Sequence, residues 1–166
     1  MATGPRFSRP ALRPATATRL AVIAVPIYFV WEMAQAPLFT GMPRDWRLAT
    51  LFCALATIGD VVLLLAFVAL GSVLFGDERW FTPPHVRRYA VITLVGLAAQ
   101  IAIEWLAVEK FRLWGYQPWH PRLPLVGTGL VAALQPLVVV PSVLSLVARW
   151  VTRVPWSRRR ASHITR

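Results

Sequence analysis

The chain has 166 residues, is 57% hydrophobic and sets 18 Lys and Arg against 7 Asp and Glu, for a formal net charge of +11. Such a balance would suit nucleic acid binding, but every basic residue falls in a tail or a short connection, outside the long apolar segments. That distribution argues against nucleic acid as a partner and fits a membrane protein with basic flanks. Four apolar segments, at about 20–38, 48–75, 89–108 and 125–148, meet or approach the roughly 18-residue length needed to cross a bilayer, and they leave no room for a separate soluble domain.

Residues 1–17, rich in Pro, Ala, Thr and Arg with no acid, read as a mobile basic tail suited to anionic headgroups. The first segment imitates a secretory signal, with Ala34-Gln35-Ala36 in the place of a cleavage site. Pro37 directly after that site and Glu32 just before it argue for a retained helix. Pro26 removes a helical donor there and predicts a kink. The segment closes on "VWEMAQAPLF", which brings Trp31, Glu32 and Gln35 together.

After a tight turn over 39–47, the second segment carries the one cysteine, Cys53, which reads as a small core hydrophobe, and Gly59-Asp60 near its centre. A loop, "GDERWFTPPHVRR", leads to the third segment. There "AAQIAIEWLAVEKF" sets Gln100 and Glu104 four residues apart on one helical face, with Trp105 next in sequence. The next connection, "VEKFRLWGYQPWHPRLP", holds Trp114, Tyr116 and Trp119, either an interfacial aromatic belt or a lid over a site. The last segment contains "LQPLVVVPS", where Pro136 and Pro141 free two backbone carbonyls beside Gln135, and residues 151–166 form a second basic tail.

In lipid every backbone amide must be paired internally, so the predicted fold is all-α, an integral membrane four-helix bundle. Four basic residues precede the first segment, three lie between the second and third, and six follow the fourth, against five in the two remaining connections. By the positive-inside rule both termini are then cytoplasmic, in a cell inner membrane. In that orientation Glu32 lies roughly 9 Å below the outer end of the first helix at about 1.5 Å per residue. Glu104 is nearer the outer end of the third helix, while Asp60 and Gln135 are close to mid-depth.

Acids inside apolar segments usually mark function, and no Lys or Arg lies within the four segments to neutralise Glu32, Asp60 or Glu104. Three such carboxyl groups around one low-dielectric cavity are expected to retain at least one proton. A neutral acid could then donate a proton while a neighbouring carboxylate stabilises a cation. These three are the candidate catalytic residues; Trp31, Gln35, Gln100, Trp105, Trp114, Tyr116 and Gln135 are the candidate ligand-binding residues. The competing reading makes the same groups glue between helices.

No cofactor is expected, because phosphate-binding glycine loops, CxxC pairs and His-Glu-x-x-His are all absent. His85, His120 and His163 fall in loops or a tail, and no metal site is expected. Trp114-Gly115-Tyr116 with its proline-rich sequel weakly resembles the small heterodimeric lycopene cyclases, whose acids are thought to protonate a polyene. Where that family has a proline-acid-acid signature, this chain reads Leu123-Pro124-Leu125-Val126-Gly127. Four helices with intramembrane acids and tryptophans also resemble the sterol isomerase and sigma-2 receptor superfamily, and the glutamate in the first helix resembles that of small multidrug exporters. No family and no residue role is assigned from these likenesses.

The leading expectation is an outward-opening polar cavity for a lipid-soluble ligand, with acid-catalysed isomerisation or cyclisation of an isoprenoid or lipid as the suited reaction. The alternatives are a small proton-coupled transporter and a non-catalytic membrane subunit or assembly factor. The expected partners are membrane lipids, together with a second copy or a membrane partner subunit.

Overall fold

The computed structural model describes residues 12–153 and is 73% helical. Four helices, α1 (Pro14–Gln35), α2 (Trp46–Phe75), α3 (Val86–Trp105) and α4 (Leu130–Arg153), are long and apolar enough to cross a membrane. Two-residue strands β1 (Phe39–Thr40) and β2 (Gly115–Tyr116) pair antiparallel, Phe39 opposite Tyr116, and tie the first connection to the third. Most of the expected N-terminal tail (1–11) and of the C-terminal tail (154–166) lies outside the described residues.

The helix boundaries follow local chemistry. Helix α1 starts at Pro14, six residues before the expected apolar edge, because proline's fixed φ and missing N–H suit a first helical position. Asp45 caps α2 by accepting from the backbone N–H of Arg47 at 2.9 Å and of Leu48 at 3.0 Å, and Gly76 ends that helix with φ of +66°. Helix α3 runs into a π-helical turn over Leu106–Lys110. Helix α4 begins five residues later than expected. Residues 122–129 form a turn instead, closed by an Arg122–Gly129 bridge and by Leu123 N–H to the Thr128 carbonyl at 2.7 Å.

The apolar core fills the end of the bundle that holds the start of α1 and the α2–α3 connection. Leu20, Ala24, Leu64, Val68, Ile92, Val143, Leu144 and Val147 pack there, and the connection itself inserts Trp80 and Phe81, both buried. Arg13 pairs with Glu78 at 3.0 Å, so the beginning of α1 and that connection share one end of the molecule. Cys53 is buried with its thiol free. The outward faces of α2, among them Leu55, Ile58 and Val62, remain exposed and apolar, as lipid-facing surfaces are.

Candidate functional site

The acids and amides of the four helices lie toward the opposite end, most of them in two adjoining clusters. The first joins three helices. Gln135, 2% exposed on α4, donates through one amide nitrogen to Glu32 Oε1 on α1 at 3.0 Å and to Asp60 Oδ2 on α2 at 2.9 Å. Within α1, Gln35 donates to the same Glu32 oxygen at 2.7 Å, and the Trp31 indole N–H donates to Gln35 Oε1 at 3.2 Å. Spacings of three and four residues put these side chains on one face of the last turns of α1, which is why a helix holds them in a row. The row runs from indole through Gln35, Glu32 and Gln135 to Asp60.

Two carboxyl oxygens bonded to one nitrogen are close neighbours. Among the described residues no Lys or Arg forms an ion pair with either; the ion pairs present join Arg13 and Arg79 to Glu78. Like charges at such separation repel strongly in a low dielectric, whereas a proton between the two groups removes the repulsion and supplies a second donor.

The second cluster surrounds Glu104, 5% exposed near the end of α3. Its Oε1 accepts from the Tyr116 hydroxyl at 2.9 Å and from the Trp114 indole at 3.1 Å, both in the connection that β2 pins down. Burial first, and then the neighbouring Glu104 carboxylate, push the Tyr116 phenol well above its ordinary pKa, so it remains a donor at physiological pH. The Arg122 guanidinium lies 5.0 Å from the centre of the Tyr116 ring. Glu104 stands near enough to Glu32 and Asp60 to act on both electrostatically, without a hydrogen bond to either.

Trp31, Glu32, Gln35, Asp60 and Gln135 thus meet in the first cluster, and Glu104, Trp114 and Tyr116 in the second. Gln100 is half-buried on α3 and forms a side-chain hydrogen bond with neither cluster among the described residues. Trp105 is 45% exposed, as adjacent helical residues point about 100° apart and Glu104 faces inward. Sequence reasoning missed His120. Its ring is buried against Phe39 and Tyr116, with Nδ1 3.2 Å from the Leu38 carbonyl, so it locks the third connection over the first. No sequence signal marks it; in the fold a Cβ at Gly129 would stand 2.8 Å from both the His120 and Tyr116 rings, so a larger residue there has no space.

Tyr116→Phe is expected to cost about 0.5–1.5 kcal/mol, the net worth of one hydrogen bond, because Trp114 still serves Glu104. Thermal unfolding in detergent reads this, and an unchanged midpoint would mean that the hydroxyl does not hold the carboxylate.

Beside the first cluster, an apolar groove of about 480 Å³ runs between α1 and α4, from Pro26 and Ser142 toward Trp31, Ala34 and Val138. The chain matches no protein-family model, no curated protein and no solved structure.

Proposed function

We propose that this chain is a multi-pass inner-membrane protein in which Glu32 and Asp60 hold and exchange one proton with a lipid-soluble ligand. Acid-catalysed isomerisation or cyclisation of an isoprenoid or related lipid is the reaction these parts suit. The observation that carries the reading is the single Gln135 amide donating to both carboxyl groups, from three different helices, with no Lys or Arg ion-paired to either among the described residues. In the proposed step the neutral carboxyl gives its proton to one carbon of a C=C bond. The remaining carboxylate stabilises the resulting carbocation and takes a proton from a neighbouring carbon, which returns the pair to its starting state with the double bond moved or a ring closed. Glu104, held by Trp114 and Tyr116, adds negative potential on the outer side.

The ion pair of Arg13 with Glu78 joins two basic segments at one end of the bundle, which supports reading that end, and both termini, as cytoplasmic.

Solvent deuterium tests the chemistry, because a carbon protonated by an exchangeable acid retains the label. Proteoliposomes equilibrated in D₂O with the apolar lipid extract of a bacterial membrane are expected to show C–D product by mass spectrometry. Asp60→Asn and Glu32→Gln are each expected to lower the rate at least about 100-fold, the usual lower bound for general acid–base catalysis. No deuterium uptake by the wild-type protein would sink the enzymatic reading in favour of a subunit whose polar groups only join helices.

A further inference from the structure

We infer that the groove between α1 and α4 holds the hydrocarbon chain of a single-chain lipid with an uncharged polar end, entering sideways from the bilayer. This rests on the proposed acid site and specifies what reaches it and by which route.

The groove's shape supports a chain. Pro26 and Ala34 mark its two ends on α1, eight residues apart, or about 12 Å at roughly 1.5 Å per residue along the helix. It therefore runs parallel to the helix axes, the direction in which lipid chains lie. At about 480 Å³ it is an open, apolar trough and not an enclosed pocket, so it suits a flexible chain laid against the helices more than a compact ligand. It lies wholly within spanning segments, so what fills it is drawn from the hydrocarbon phase.

The groove also has a direction. Gln135 meets Glu32, which fixes the antiparallel register of α1 and α4: Val138 lies back toward Val30, and Ser142 toward Pro26. The Ser142 hydroxyl donates to the Val138 carbonyl at 2.6 Å, so its proton is already engaged and that end stays apolar in character. At the other end Trp31 forms the wall, and its indole N–H opens the hydrogen-bond row through Gln35 to Glu32. A chain lying in the groove brings its polar end to that row.

Charge decides which polar end fits. Glu32, Asp60 and Glu104 lie toward this end, and among the described residues no Lys or Arg forms an ion pair with any of them, Arg122 stacking on the Tyr116 ring instead. An anionic head would meet uncompensated like charge in a low dielectric. A hydroxyl both donates and accepts, so it can join the Trp31–Gln35–Glu32 row without disturbing the charge.

The full-length protein in phosphatidylcholine nanodiscs provides the test, with diazirine-tagged hexadecanol as the photoprobe and labelled peptides mapped by mass spectrometry. Labelling of 26–34 and 138–142 is expected to saturate and to be chased by plain hexadecanol, with hexadecanoate at least about tenfold less effective. Labelling of the lipid-facing side of α2 around Leu55 and Val62 is expected to rise linearly. Ala34→Phe and Val138→Phe, which fill the groove from opposite walls, are each expected to remove the saturable component. Linear labelling of the groove in the wild-type protein, or equal competition by hexadecanoate, would overturn the inference. Asp60→Asn is expected to keep saturable labelling while losing deuterium uptake. Saturable labelling without wild-type deuterium uptake supports the groove and sinks the acid chemistry; deuterium uptake with linear groove labelling does the reverse.

Discussion

Replacing Gln135 with leucine is expected to destabilise the bundle by about 1–3 kcal/mol, because two interhelical hydrogen bonds vanish together and such bonds average about 0.6 and reach about 1.7 kcal/mol each in a membrane. The upper part of that range is favoured here. Gln135 is almost fully buried, and its loss removes one amide donor from both Glu32 and Asp60 at once. Leucine conserves much of the volume, so the change reads polar pairing rather than a cavity. The double-mutant cycle with Asp60→Asn separates pairing from packing: a coupling of about 0.5–3 kcal/mol is expected for groups in one network. Additive losses would mean that Gln135 does not hold Asp60.

At the opposite end, Trp80→Ala is expected to cost about 3–5 kcal/mol, the usual price of deleting a buried aromatic ring. Trp80 is wholly buried although it sits in a connection, and its indole N–H donates to the Val68 carbonyl at 3.0 Å. The ring packs against Gly71, where an added Cβ would come 2.6 Å from the indole nitrogen, and it lies edge-on to Phe81 and Tyr89. The α2–α3 connection is further held by Tyr89, whose hydroxyl donates to the Phe81 carbonyl at 3.0 Å. Gly71→Leu attacks the same contact from the other side and is expected to cost about 1–3 kcal/mol by overpacking. Detergent unfolding curves check both, and a loss below about 1 kcal/mol for Trp80→Ala would contradict the wedge.

The four long helices were legible because apolar runs of this length have one solution in a bilayer, and the absence of Lys and Arg inside them made Glu32 and Asp60 conspicuous. Counting residues along alternating helices also brought Gln135 and Asp60 to similar depth, and these two meet. What stayed hidden lies in the connections. Leu125 adopts φ of +77° in the turn that delays α4, and nothing in a leucine announces a left-handed backbone. Trp80 lies in a connection that periodicity does not reach, and its burial against Gly71 shows that it is core. The division of the acids into two clusters depended on where Trp114 and Tyr116 fold back, which the β1–β2 pairing determines and helix periodicity does not.

The proposal that Glu32 and Asp60 share one proton is tested most directly by infrared spectroscopy of the protein in lipid nanodiscs at neutral pH. A protonated-carboxyl band that shifts on exchange into D₂O is expected, lost in either Glu32→Gln or Asp60→Asn and retained in Glu104→Gln. A wild-type spectrum without that band, or a band that survives both substitutions, would contradict it.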